Sequence, residues 1–415
     1  MGLLYNEVRK LKVLEAAWKK VRQKGLMSAS NEIRAEVLEF DKSPSSHLHS
    51  ISGKLSKNSF KFTPQTGIAK KRLGKSSWPL VVAPLHNRIV QRAILNVLNE
   101  IPVVREVRSV ITSVGGIDGR DQAIAQVTEA IKSGKVWYVR SDIPGFFTKI
   151  PRENVLTFIR QNTDDSEFCA LFEKAMETEL ANVDVLGKEA ELFPTGEHGV
   201  AQGSSLSPLI GNILLRNFDA VMNDRGIVCI RYIDDFILLA EKGANALKAF
   251  NSALVILKEM GLDAYDPMTC PEKAGLGHVE GGFDFLGCRI TGNMVQPSES
   301  ARNRLVEKVE NILSEGCERI KYHENDRKSG GASYAQTLCS LDRVLKGWGD
   351  SFSFCNDRRS FLKLDKRIDK LLSRFHLYVR KIRSKCSPVE KRRILGVHAL
   401  CDTQQIELTV KPRTI

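Results

Sequence analysis

Three carboxylates stand out by their surroundings. Asp142 closes the β-prone run VWYVRSD (136–142), and Asp234 and Asp235 lie between the apolar runs IVCIRY (227–232) and FILLA (236–240). Only Ile233, Asp234 and Asp235 separate those two runs, so a tight β-hairpin with the acidic pair at its tip is expected. Adjacent aspartates between apolar strands repel one another in a partly desolvated place, and a divalent cation removes that cost. Two Mg²⁺ ions about 3.5–4 Å apart on three carboxylates can perform in-line phosphoryl transfer, one activating a 3′-hydroxyl and the other neutralising the departing pyrophosphate. Mn²⁺ is the chemical substitute. An Asp-Asp pair alone is more often a polar turn; the strand-end Asp142 makes the three a candidate metal site.

The elements that must position these groups follow from periodicity. Residues 4–40 predict one or two amphipathic helices, with Leu11, Val13, Leu14, Trp18 and Val21 among lysines and arginines. The Ser-, Lys- and Gly-rich stretch 41–59 reads as a loop. WPLVVAPLHNRIVQRAILNVLNEI (78–101) predicts a strand, a turn at Pro84 and a helix. A Gly-rich loop over 111–122 precedes a helix to about 133, and 151–161 starts a helix with Pro151 in its first turn. SLSPLIGNILLRNFDAVMND (205–224) is expected to be a helix opening near a serine cap, and 246–261 a helix stopped by Gly261. From 301 onward the pattern is helical and basic, and Pro297 marks the expected domain boundary.

Composition bounds the function. The chain has 415 residues, 42% hydrophobic and 27% charged, which is ordinary globular composition and argues against wholesale disorder. Nine scattered cysteines without a CxxC pair fit a reducing compartment. Cys386, His398 and Cys401 match no common zinc spacing. No uncharged apolar run approaches the roughly 18 residues of a membrane span, and no signal-peptide pattern opens the chain, so a cytoplasmic protein without a membrane partner is expected. The net charge of +13 is unevenly spread. Residues 1–80 carry 16 basic and 6 acidic side chains, 81–300 carry 21 and 29, and 301–415 carry 25 and 14. Basic ends suit phosphate-bearing partners and an acidic centre suits divalent cations.

Several motifs then carry a family resemblance. Tyr232-Ile233-Asp234-Asp235 resembles the YxDD signature of reverse transcriptases. AQGSSLSPLIGNILL (201–215) resembles the motif that precedes it in group II intron and related bacterial enzymes, and SDIPGFFTKI (141–150) resembles their first palm motif. GFDFLG (282–287) is similar to the primer-grip hairpin, HNRIVQRAI (86–94) to a fingers segment, and 341–375 to the helical thumb. The resemblance spans roughly residues 60–375 in the family's order. It implies an α+β right-hand polymerase of fingers, palm and thumb, with an RRM-like antiparallel palm sheet, a helical N-terminal extension and a helical thumb. The expected divisions are 1–59 for the extension and loop, 60–135 for fingers, 136–296 for palm with finger elements at about 151–200, 297–375 for thumb and 376–415 for a basic tail.

The resemblance also assigns residues. Asp142, Asp234 and Asp235 would be catalytic and metal-binding, with the Ile143 carbonyl as a further ligand. Phe147 resembles the gate that excludes a ribose 2′-hydroxyl, which favours deoxynucleotides. Gln202 and Gly203 would pack on the incoming nucleotide and template, and Lys70, Lys71 and Arg72 are the cations available to its triphosphate. Tyr232, Lys273, Phe285, Leu286 and Gly287 would support primer and template, with Lys273 a candidate general acid. The chain departs from the family at Trp78, where relatives carry arginine, and at Asn87, where they carry aspartate. Lys381, Arg383, Lys385, Lys391, Arg392 and Arg393 belong to a basic run expected to contact RNA.

No endonuclease, integrase, protease or RNase H pattern follows the thumb-like stretch. This organisation resembles the bacterial defence-associated "unknown group" reverse transcriptases, which copy a noncoding RNA into cDNA. An intron maturase, a retron-like or diversity-generating enzyme, and an RNA-binding scaffold that keeps the fold remain as alternatives. Template identity, priming and oligomeric state are left open.

Overall fold

The computed structural model describes residues 2–403 apart from 29, 73–74, 110–116, 195, 224–225 and 326–333. Residues 111–116 of the Gly-rich segment expected at 111–122, and residues 404–415 of the basic tail, lie outside the described residues; 117–122 is not loop but the start of a helix, Ile117–Lys132. The chain forms two compact units, Met1–Gly281 and Gly282–Ile415.

The first unit opens with α1 (Leu3–Arg9), α2 (Leu11–Leu26), α3 (Asn31–Phe40) and α4 (Pro44–Ser56), followed by the antiparallel hairpin β1 (Thr66–Arg72) and β2 (Lys75–Val82). Helices α5 (Leu85–Leu98), α6 (Pro102–Ser109) and α7 (Ile117–Lys132) lead to β3 (Trp137–Asp142). Then come α8 (Phe146–Lys149), α9 (Arg152–Gln161), α10 (Ser166–Met176), α11 (Val183–Leu186) and α12 (Ser207–Met222). Strands β4 (Val228–Tyr232) and β5 (Asp235–Ala240), helix α13 (Gly243–Glu259) and strand β6 (Gly275–His278) complete it. Strands β3 to β6 form one antiparallel sheet in the order β4-β5-β3-β6, the sheet expected to be the palm. Helices α7, α12 and α13 pack on this sheet, and Phe236 through Ala240 of β5 are all buried.

Three further expectations about helices in the first unit are corrected. The stretch 41–59 is not a loop: Pro44 sits in the first turn of α4, where its missing N–H costs nothing, and Leu48, Ile51 and Leu55 form a buried stripe. Polar residues between those three positions hid the helix from a compositional reading. Helix α12 has no serine side-chain cap; its N-cap is Leu206, and the buried Ser207 hydroxyl instead donates to the Ala201 carbonyl at 2.7 Å. Pro151 is the N-cap of α9 rather than a first-turn residue.

The N-terminal helices share the palm's core. Tyr5, Val8, Leu14 and Trp18 belong to one apolar cluster with Ile89, Phe168 and Phe218. The Asp165 carboxylate clamps them: it accepts from the Phe168 N–H as the cap of α10 and from the Tyr5 N–H, both at 2.9 Å.

The second unit starts with an antiparallel sheet of β7 (Phe283–Phe285), β8 (Cys288–Thr291) and β9 (Met294–Pro297). Helices α14 (Glu299–Asn325), α15 (Tyr334–Ser351), α16 (Arg358–Ser384) and α17 (Pro388–Leu395) follow. Pro297 is therefore the end of a strand inside this unit, and the units divide ahead of it, after Gly281. The Ser298 N–H donates to the Gly287 carbonyl at 2.9 Å, which ties the start of α14 back to the small sheet. Apolar stripes on α14 (Val306, Val309, Ile320) and α16 (Leu364, Ile368, Phe375) meet in a core separate from the palm's.

Candidate active site

The sheet register builds the site. Asp142, last in β3, pairs with Asp235, first in β5, and Asp235 pairs on its other side with Tyr232. Asp235 thus lies in the strand rather than in the turn, and the hairpin loop is only Ile233 and Asp234. Ile233 adopts φ +61°, and Asp234 is not among the positive-φ residues. That is the sign pattern of a type II′ turn, whose first position normally belongs to glycine. A β-branched residue there costs on the order of 1–3 kcal/mol, so the surroundings must hold it. The Ile143 N–H donates to the Asp234 carbonyl at 3.3 Å, joining the end of β3 to the hairpin tip.

Below the tip lies Arg231, the largest fully buried side chain among the described residues. Its Nε and Nη2 donate to the two carboxylate oxygens of Asp219 on α12 at 2.7 and 2.5 Å, and its Nη1 donates to the Ile233 carbonyl at 2.7 Å. Nη1 also donates to Asn212 Oδ1 at 3.2 Å. Sequence reasoning missed this group, although an arginine inside an apolar strand and an aspartate on the apolar face of a helix were visible signals.

The carboxylates perturb each other. Burial and the negative charge of Asp142 push Asp234 up to about 6; burial, Asp142 and Asp234 push Asp235 up to about 7. Burial also raises Asp142, opposed by Lys273. Arg140 and Lys273 are the cations that partly relieve Asp235. Among the described residues no three His, Cys, Asp or Glu side chains converge as a ready metal cage. The donor chemistry nevertheless suits Mg²⁺, which is usually held by one or two carboxylates together with substrate phosphates rather than by an all-protein cage. Like charges held in a desolvated corner are the observation that fits a cation.

Lys273 lies beside this corner, its Nζ 5.3 Å from the Tyr265 ring centroid, while the Tyr265 N–H donates to the Asp142 carbonyl at 3.2 Å. Arg140 Nη1 donates to the Lys273 carbonyl at 3.3 Å. Arg140 and Tyr265 were not singled out from sequence.

A second strip of backbone links the palm to the fingers hairpin. Phe147, half-buried on α8 beside the buried Phe146, accepts from the Val200 N–H at 2.7 Å. Two residues on, the Gln202 carbonyl accepts from the Val81 N–H of β2 at 2.8 Å. Gly203, at φ +130°, lies so close that a β-carbon would stand 2.4 Å from the Val81 carbonyl oxygen. The hairpin's inner face, with Gly67, Ala69 and Val81, packs toward Leu186, Phe193 and Ala201. The alternate face carries Ile68, Lys70 and Trp78, all exposed. Trp78 lies opposite Lys70 in the register, and its indole N–H donates to Gln202 Oε1. Lys71 falls at an irregularity between Lys70 and Arg72 and is exposed. The Arg72 side chain lies outside the described residues.

Asn87 also has a physical account. Its amide accepts from the Thr63 N–H at 3.2 Å and donates to the Thr63 carbonyl at 2.8 Å, a pairing an aspartate could not make. Tyr232, beside Asp235, is half-buried and its phenol is raised by burial.

The other residues expected to touch primer or RNA belong to the second unit. Phe285 is buried, and Leu286 and Gly287 form the two-residue β7–β8 loop with φ +48° and +78°, the sign pattern of a type I′ turn. Lys381 and Arg383 occupy the last turn of α16, with Lys385 its C-cap. Lys391, Arg392 and Arg393 lie on α17, which Ser387 and Glu390 close with a reciprocal capping box.

An antiparallel palm sheet with paired strand-end carboxylates, a YxDD hairpin and a docked fingers hairpin defines a nucleic-acid polymerase fold. Residues 68–290 match the family Reverse transcriptase (RNA-dependent DNA polymerase), and the chain belongs to that family. Protein YkfC of Escherichia coli strain K12 is 24% identical, the match covering 54% of this chain and 68% of that protein. An uncharacterised 91 kDa protein in the cob intron of Schizosaccharomyces pombe is 26% identical, over 40% of this chain and 19% of that protein. Among solved structures, a chain of a partial Cas6-RT-Cas1–Cas2 complex is 24% identical, with 62% of this chain covering 42% of that one at a TM-score of 0.37. No helix among the described residues is long and apolar enough to cross a membrane.

Proposed function

We propose that this protein is an RNA-directed DNA polymerase that makes cDNA from a dedicated, structured noncoding RNA, in bacterial antiphage defence. The observation that carries the polymerase reading is the pairing of Asp142 with Asp235 beside Asp234, with Phe147 on the short helix that follows. Asp142, Asp234 and Asp235 would hold two divalent ions, and the carbonyl of Ile143 would assist. When bound, the ions lower the pKa of the primer 3′-hydroxyl and neutralise charge on the pyrophosphate. The 3′-oxygen would form a bond to the α-phosphorus as the bond to pyrophosphate breaks, and Lys273 would give the leaving group a proton.

Phe147 would exclude ribonucleotides, and Gln202 with Gly203 would seat the nucleotide against the hairpin. Lys70, Lys71 and Arg72 would be the cations available to the triphosphate, with Lys70 opposite Trp78, which stands where relatives carry arginine. Phe285, Leu286 and Gly287 would grip the primer, and the basic residues of α16 and α17 would hold RNA. The dedicated-template and defence readings rest on the organisation of the chain, in which a thumb-like helical bundle and a basic tail follow the palm. The similarity to the protein in the cob intron supports a second reading, an intron-type maturase.

The test is to purify the protein from its own cells and sequence its bound RNA and DNA separately. One abundant noncoding RNA with matching cDNA, lost in the Asp234→Ala, Asp235→Ala double variant, is the expected result. Intron RNA would favour the maturase. RNA without DNA under any condition, phage infection included, would leave an RNA-binding scaffold.

A further inference from the structure

The turn that carries Asp234 is hydrogen-bonded to a buried charge pair that takes no part in the chemistry described above. Arg231 donates two N–H groups to Asp219, and its Nη1 donates to the Ile233 carbonyl and to Asn212 Oδ1. Arg231, Asp219 and Asn212 are each at most 4% exposed. The Ile233 carbonyl belongs to the peptide that leads directly into Asp234, so its direction sets the plane from which the Asp234 carboxylate departs. Ile233 has no intrinsic preference for its φ of +61°, and glycine, the residue that would adopt it freely, is absent.

We propose that Arg231 and Asp219 are positioning residues for the metal-binding carboxylates. Asp219 fixes the guanidinium on α12, the guanidinium fixes the Ile233 carbonyl, and the peptide plane so defined aims Asp234 at the place where Asp142 and Asp235 meet. The inference rests on the polymerase reading and deepens it. A fork-shaped side chain is required, because a lysine offers one nitrogen and cannot span Asp219 and the carbonyl in the same geometry.

Two variants test this: Arg231→Lys, and the apolar pair Arg231→Met with Asp219→Leu. Replacing both partners of a buried ion pair by apolar residues often preserves stability, so the pair separates positioning from folding. Each variant is melted, its Mn²⁺ binding is followed by electron paramagnetic resonance, and its incorporation velocity is measured against Mg²⁺ concentration. The apolar pair is expected to melt close to the wild type and to bind RNA unchanged. Its Mn²⁺ affinity should fall about 10–100-fold, the scale for loss of groups that orient metal ligands, and its half-saturating Mg²⁺ should rise in step. Arg231→Lys should lie between it and the wild type. A folded apolar pair with wild-type Mn²⁺ affinity and Mg²⁺ dependence overturns the proposal. Should that variant not fold, wild-type values in Arg231→Lys overturn it equally. Failure of the polymerase reading looks different: Asp234→Asn and Asp235→Asn would then leave Mn²⁺ binding unchanged.

Discussion

Asp142 and Asp235 stand directly opposite one another on adjacent antiparallel strands, at the one end of the palm sheet where β3 stops and β5 begins. A one-residue slip of either strand would turn its carboxylate to the other face, so the register of the sheet and the composition of the site are the same fact. The loss of chemistry on substitution should therefore be severe and local. Asp234→Ala with Asp235→Ala is expected to lower deoxynucleotide incorporation by about 10²–10³-fold or more, the scale for removing preorganised charge at a reacting centre. RNA affinity measured by filter binding should stay near wild type; parallel loss of both would make the pair structural.

The raised carboxyls predict a pH dependence of metal-free stability. Both have folded values, about 6 for Asp234 and about 7 for Asp235, above the 3.8 of a free aspartate. From about pH 4 to pH 7 the native state keeps protons that the unfolded chain has released, so stability falls as pH rises through that window. Asp235→Asn should flatten the fall, raising the melting temperature above pH 7 by about 2–4 °C for each kcal/mol recovered. Mg²⁺ should raise it in the wild type and not in the variant, as a melting series with and without the ion would show.

Phe147 follows Asp142 closely and is only half-buried, unlike Phe146. Phe147→Ala should relax sugar discrimination by about tenfold or more, the scale for opening a pocket by one group. The ratio of kcat/KM for dNTP and rNTP is the measurement, and an unchanged ratio removes the gate.

Gly203 touches the fingers hairpin through its backbone alone. Gly203→Ala places a methyl against the Val81 carbonyl at a φ of +130° and should cost on the order of 1–3 kcal/mol. Undocking of the hairpin from Gln202 should raise KM for dNTP more than it lowers kcat in steady-state extension assays.

Charge reversal at Lys381, Arg383 and Lys385 should weaken RNA binding and make it less sensitive to salt. For single-stranded contacts, losing three phosphate partners lowers the slope of log K against log salt by about 2. A slope unchanged from wild type in titrations across salt would assign those side chains elsewhere.

Much of this was legible in the linear chain because its signals are local. Strand β5 carries an apolar run, Asp142 ends another, and only three residues separate the runs on either side of the acidic pair, so a hairpin with carboxylates at its end could be read without coordinates, whereas the place of Asp235 inside the strand could not. Helix α5 followed from its apolar stripe after Pro84. What escaped reading depends on partners distant in sequence. Helix α4 was hidden because its serines and histidines are tolerable only once Leu48, Ile51 and Leu55 have a core to enter. The small sheet ending at Pro297 belongs to the second unit through the Ser298–Gly287 bond, which no composition shift announces. Asp219, Arg231 and Ile233 become one device only when α12 lies under β4, and Trp78 meets Gln202 only when the hairpin docks. Residue types and spacing determined the chemistry available to this protein; the tertiary structure decided which charges are desolvated and which are paired, because burial and distance set the energy of a charge and neither is written in the chain.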